Sequence, residues 1–333
     1  MPSRSFAFSL FRAGLVLLVC TAPLVAERPP AAVASSPSPL YAPTAVLPRV
    51  INGRPVGSLI FDRTGHRLYA GTDRGLFWAD LTQDKPIFVG PVFKGFVRKV
   101  EVAPDLGRVF FATFDLVGYV DVRDLSTPHT IAEMHPEDVV YEPSRHEIYV
   151  TSRDPNVRVF DARTGESSGT IDLPGWNGSE LEAIPGAVFL GVSSKDGLYK
   201  IDAATHTLMP FATDAKLATP FRLEADPAGK YLFASYYQHI VAIEPATGRI
   251  LGRATTQNAP SIAYDAGSDV LIATWDNEPP PIKVVVFRMD ASGLSPLTQL
   301  QNPAKGRVGV EPTNRGFLQF AAREIIVWAM TPS

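Results

Sequence analysis

Cysteine is nearly absent: Cys20 is the only one in 333 residues. An internal disulfide, a CxxCH haem attachment and a multi-thiolate metal site are therefore excluded. Histidine is sparse, at His66, His129, His135, His146, His206 and His239. No two of these fall at a spacing that puts paired metal ligands on one strand face. His66, His146 and His206 fall between apolar runs, where solvated turn positions are expected. Neither charge sign dominates, with 31 Lys+Arg against 34 Asp+Glu and a formal net charge of -3. That balance argues against a protein that wraps nucleic acid non-specifically, and no nucleic-acid partner is expected. Mononucleotide loops, GxSxG elbows, HExxH and CxxC are missing. The Gly-rich stretch Thr164–Thr170 lacks the lysine of a phosphate loop, and a turn explains it. The apolar run Ala13–Val19 is too short for a membrane span, and no amphipathic helix of any length is visible.

Apolar residues are plentiful, at 45%, enough for a large core, and so is proline, with 30 residues. Some of that proline lies near the start. Residues 1–26 carry Arg4 and Arg12, no acid, an apolar stretch and a small residue at Ala26. This pattern predicts a secretory signal, cleaved after Ala26, and an extracytoplasmic location, periplasmic or secreted. Lipid attachment at Cys20 is not expected, because Val19 stands where a small residue is usual. Removing the segment takes two positive charges and leaves -5 on the remainder. Residues 27–42 are rich in Pro, Ala and Ser and read as a tether.

From residue 43 to 333 a unit recurs: an apolar stretch, a turn of Pro, Asp or Gly, then a second apolar stretch. Copies begin at Ser58, Lys99, Val139, Leu181, Arg222, Ser261 and Val308. The central apolar residues of the second stretches are Tyr69, Phe110, Tyr149, Phe189, Phe233, Ile272 and Leu318. They are spaced 41, 39, 40, 44, 39 and 46 residues apart. A third stretch usually closes on an acid, as at Asp80, Asp161, Asp202 and Glu244, and a fourth, weaker one follows. Val, Ile, Tyr and Phe in period-2 alternation indicate strands. Four short antiparallel strands repeated seven times predict an all-β fold, a seven-bladed β-propeller. The last copy runs out of chain before its outer strand. Pro43–Ile51 has the length to supply it, so an N-terminal strand is expected to close the last blade.

The copy ending Tyr149-Val150-Thr151, followed by VRVFDARTGE, resembles the YVTN-type β-propeller repeat. Pro104-Asp105, Asp226-Pro227 and Thr164-Gly165 fit that pattern, whereas the chain from Asp290 onward departs from it. The resemblance implies an extracytoplasmic prokaryotic propeller. Its motifs are structural and imply no single activity: such propellers include surface-layer-like proteins, binding proteins and quinoprotein-associated subunits.

Comparing the copies position by position locates candidate chemistry. The starts of the innermost strands read Ser58, Arg98, Asp138, Glu180, Arg222, Ser261 and Arg307. In a propeller these ring one mouth of the central channel. Loops between second and third strands open on the same face and carry Tyr236-Tyr237 and Trp275-Asp276, among others. Arg98, Asp138, Glu180, Arg222, Arg307, Tyr236, Trp275 and Asp276 are thus the ligand-binding candidates. Arginine offers forked donors to a carboxylate or phosphate, and Tyr or Trp a stacking face. Mutual pairing of the arginines and acids is the plain alternative.

The leading expectation is a monomeric binding scaffold without turnover or cofactor, its partner a protein or small-molecule ligand. One alternative is a lactonase or other hydrolase dependent on Ca²⁺ or another divalent metal, held by Glu180, Glu182 and Asp138. Propeller lactonases resembling gluconolactonase use Glu, Asn and Asp in this way, and Asn156, Asn177 and Asn258 would be amide partners. Ser58 stands where that family places its opening Glu. The other alternative is an accessory subunit of a periplasmic redox enzyme.

Overall fold

A computed structural model describes residues 41–48, 50–51, 54–62, 67–83, 85–193, 197–212, 217, 219–256, 261–266, 268–274, 282–290, 293–302, 308–311, 316–320 and 324–330. Residues 1–40, where the signal and most of the tether are expected, lie outside these, as do Trp275, Asp276, Arg307, Asn258 and His66.

Among the described residues every regular element is a strand, and the strands form seven antiparallel sheets. Their first strands carry the repeat: Arg54–Asp62, Lys99–Ala103, Pro136–Glu142, Trp176–Ile184, Arg222–Ala225, Ser261–Asp265 and Val308–Glu311. In the first six sheets the next three strands follow in chain order. Val50–Ile51 adds a short fifth strand beside Arg54–Pro55 in sheet one. In sheet seven, Tyr41–Pro48 lies antiparallel along Glu324–Met330. Tyr41↔Met330 and Ala42↔Ala329 belong to this pairing, so two residues read as tether lie in a strand. Each first strand touches the first strand of the next sheet, and Val308–Glu311 touches Arg54–Asp62.

The repeated apolar residue of each second strand explains how the sheets stack. Tyr69, Phe110, Tyr149, Phe189 and Phe233 are all fully buried. Each packs on the following sheet: Phe110 meets Val139, Tyr141 and Ile148, and Tyr149 meets Leu181 and Val188. Phe189 meets Leu223 and Leu232, and Phe233 meets Ile262 and Leu271. Strand side chains alternate faces, so residues one position away, such as Ile148 and Val150, pack back on the preceding sheet. Burying each such side chain contributes about 2–3 kcal/mol.

The same alternation aims a polar clamp. In sheets one to three the residue two before the anchor shares its face and reaches the turn after the third strand of the next sheet. Arg67 donates to the Val122 carbonyl at 2.8 Å, and Arg108 to those of Ala162 and Arg163, both at 2.6 Å. In sheet three Glu147 takes this role and meets His206 at 3.0 Å. The target turns are held by the recurrent acid. Asp161 Oδ1 accepts from the Arg163 and Thr164 amides, both at 2.8 Å, and Asp202 Oδ1 from Ala204 and Thr205. These amides keep both carboxyls below the usual range, against burial in the case of Asp161.

His146 and His206 occupy the expected turns, with left-handed φ of 53° and 56°. They are not freely solvated, as the sequence implied. His146 Nδ1 lies 3.0 Å from Asp105 Oδ2 of the preceding sheet and 2.8 Å from the Tyr141 hydroxyl. Both histidines bridge sheets because their turns abut a polar side chain of the neighbouring sheet.

Candidate functional site

The start of each first strand pairs with the end of the second: Ser58↔Gly71, Lys99↔Ala112, Asp138↔Thr151, Glu180↔Gly191, Arg222↔Ser235 and Ser261↔Thr274. The first-strand starts and the hairpins after the second strands therefore share one edge, called here the mouth face. The register corrects one expected residue. Lys99, not Arg98, occupies the row of Ser58, Asp138, Glu180 and Arg222, because sheet two keeps the 11-residue offset from its anchor that Ser58, Asp138 and Arg222 keep.

Four members of this row, Ser58, Lys99, Asp138 and Glu180, each engage the next sheet. Ser58 Oγ accepts from the Val100 amide at 3.2 Å. Lys99 Nζ lies 2.8 Å from Asp138 Oδ1, which also accepts from the Val139 amide at 2.8 Å. Asp138 Oδ2 accepts from the Leu181 amide at 2.9 Å. Arg222 pairs with Glu180. Asp138 and Glu180 are thus satisfied by cations and backbone donors. Among the described residues no three His, Cys, Asp or Glu side chains converge as metal ligands. Burial disfavours the Lys99 ammonium, but Asp138, Glu180 and Glu101 outweigh it and raise its pKa. Lys99 keeps 32% of its side-chain surface accessible, so this charged row still borders open space.

Arg98 lies one residue nearer the rim. It pairs with Glu137, and Arg153 Nε lies 3.5 Å from the same carboxylate. Surface pairs of this kind contribute about 0–1 kcal/mol. Glu137 was not legible as a partner, because it precedes the conserved offset by one residue in its own sheet.

Tyr236 does not offer the expected stacking face. It stands at the turn-opening position held by Thr72 and Thr113 in sheets one and two. There Thr72 Oγ1 accepts from the amides of Arg74 and Gly75, and Thr113 Oγ1 from those of Asp115 and Leu116. Tyr236 is 3% exposed and packs in the core between sheets four and five. Its ring stacks on His239 at 4.9 Å, and burial raises the phenol's pKa. The accessible aromatic of this turn is Tyr237, at 60%.

Tyr237 has company. Phe114, at 57%, lies in the hairpin after the second strand of sheet two, and Phe221, at 52%, immediately precedes the first strand of sheet five. These are the exposed large aromatics among the described residues, and all three lie on the mouth face. The remaining exposed large apolar residues, Ile87, Val89, Met209 and Leu297, lie on or beside fourth strands.

No protein-family model matches the chain, and no curated protein matches it in sequence. Solved structures do match in shape. The RRP9 WD40 repeats superpose with a TM-score of 0.73 at 9% identity, covering 87% of this chain and 99% of that one. U3-55K gives 0.70 at 9% identity, over 87% of this chain and 100% of the other. A chain of the mitotic checkpoint complex gives 0.70 at 15% identity, over 90% and 97%. Such identities speak to architecture alone, and the shared architecture is a β-propeller.

Proposed function

We propose that the seven sheets are the blades of one ring and that its mouth face is a docking surface for a protein partner, without turnover. Contacts between successive first strands, including Val308–Glu311 with Arg54–Asp62, support the ring. The pairing of Tyr41–Pro48 with Glu324–Met330 supports its closure by the N-terminal strand. The observation that carries the function is the confinement of Phe114, Phe221 and Tyr237 to this face. Exposed aromatics beside charged groups are the composition of a recognition patch, where flat rings give large contact area at low entropic cost. One neighbour of the same fold was solved within a mitotic checkpoint complex, in keeping with a scaffold role.

The test compares two triple variants as bait in extract of the producing cells. Phe114→Ser/Phe221→Ser/Tyr237→Ser is expected to lose at least tenfold of the bound partner. Ile87→Ser/Val89→Ser/Met209→Ser is expected to retain it. Equal retention by both contradicts the reading. The scaffold works outside the cytoplasm if residues 1–26 are a signal. N-terminal sequencing of exported protein is expected to begin at Glu27, and a start at Met1 contradicts export by cleavage.

A further inference from the structure

We infer that a basin at the mouth-face edge of sheet one takes an acidic peptide segment of a partner protein, one that also bears an apolar side chain. This rests on the mouth face being the docking surface and names what docks at one end of it.

The basin has a volume of about 470 Å³ and is lined by Asp73, Arg74, Phe77, Pro91, Lys94 and Gly95. Its two walls are the hairpin at Thr72–Gly75 and the chain leaving the fourth strand at Lys94-Gly95. They are tied together by the Val97 amide donating to the Thr72 carbonyl at 2.7 Å and the Gly95 amide to that of Arg74 at 3.4 Å. The Thr72 hydroxyl holds the hairpin from within, as described above. The site is therefore built before anything enters it, which lowers the ordering cost of binding.

Its chemistry is directional. Arg74 stands on one wall and Lys94 on the other, both exposed. Neither makes an ion pair among the described residues, unlike Arg98, Lys99, Arg153 and Arg222 on the same face. Asp73 offsets one of the two charges, so the basin is net positive. The lining between them includes Phe77 and Pro91. Immediately beyond Gly95, Phe96 stacks on Phe114 at 4.2 Å and 14°. His135 Nδ1, 2.7 Å from the Phe114 carbonyl oxygen, steadies this ledge. Two unpaired cations ask for carboxylates, and the exposed Phe114 ring beside them asks for an apolar neighbour. A peptide carrying both within a few residues satisfies the two together.

The probe is a fluorescent Glu-Glu-Leu-Phe-Glu-Glu peptide, titrated with the full chain and read by anisotropy. Saturable binding that weakens with salt is expected. Arg74→Glu/Lys94→Glu should lose at least tenfold in affinity and Phe114→Ala about threefold. Arg123→Glu, an exposed cation on the opposite edge, should bind as wild type. Matching thermal melts exclude misfolding as the cause of a loss. Three results overturn the proposal. They are binding no tighter than Lys-Lys-Leu-Phe-Lys-Lys, indifference to the double charge reversal, and equal binding of oligothymidine. Phe221→Ser/Tyr237→Ser leaves the basin intact but removes the rest of the rim, so failure of the docking-face reading and failure of this site are read separately.

Discussion

His206 Nε2 lies 3.0 Å from Glu147 Oε2, across 59 residues of sequence and one sheet boundary. Glu147 Oε2 also accepts from the Tyr149 hydroxyl at 3.0 Å. This buried carboxylate fills the place where Arg108 grips two carbonyls one sheet earlier. The clamp's position is kept while its charge is reversed. Glu147→Ala strands the buried Tyr149 hydroxyl and is expected to cost about 1–3 kcal/mol. Glu147→Gln keeps an acceptor and should lose less. Urea unfolding midpoints measure both; equal midpoints for Ala and wild type would contradict the clamp.

Asp138 holds together three first strands, through Lys99, its own strand's Val139 amide and the Leu181 amide. Removing it takes away the ion-pair partner of the Lys99 ammonium, leaving only Glu180 and Glu101 to offset that charge. Asp138→Ala should destabilise by about 3 kcal/mol, while the double change Lys99→Met/Asp138→Leu should recover much of that loss. A double-mutant cycle by chemical denaturation reads the coupling, and strictly additive effects would show that the pair is not linked.

At Gly252 the backbones of sheets five and six approach each other closely. A Cβ there would meet the Leu294 amide nitrogen at 2.4 Å and the Gly293 Cα at 2.8 Å. Both neighbours are backbone and cannot swing aside, so overpacking is unavoidable. Gly252→Ala should cost about 1–3 kcal/mol despite its mild chemistry. Thermal unfolding with an unchanged midpoint would contradict this packing.

The His239 pKa is lowered, first by burial and then by the nearby Arg253. A depressed histidine binds its proton less readily in the fold than in the unfolded chain. Its contribution is thus fully present above the unfolded value of about 6.5 and is lost as pH falls through the lower folded value. His239→Phe, which keeps a ring against Tyr236, should flatten the decline in stability between about pH 7 and 5. Identical slopes for the two proteins would show that His239 does not titrate this way.

Much of the architecture was legible because it repeats. The anchors Tyr69, Phe110, Tyr149, Phe189 and Phe233 announce the strand that must face a neighbour, and the spacing between them counts the sheets. The clamps were not legible, since Arg67, Arg108 and Glu147 share a position but not a residue type. Neither was the fate of Tyr236: its sequence neighbourhood matches that of Tyr237, and only the hairpin's geometry decides which ring is buried. Lys99 was legible, since it stands at the 11-residue offset from Phe110 itself, whereas Arg98 is one residue off it, and in a strand one residue moves a side chain to the other face. The stack of Phe96 on Phe114 joins a loop of one sheet to a hairpin of the next, and no local pattern encodes it.

The central claim is that partners meet this protein on the mouth face. A photo-crosslinking residue placed singly at Tyr237, Phe114, Ile87 and Met209, in the cells that make the protein, tests it most directly. Crosslinked adducts of one shared mass at Tyr237 and Phe114, and none at Ile87 or Met209, are the predicted result. Adducts confined to Ile87 or Met209, or equal at all four positions, would contradict it.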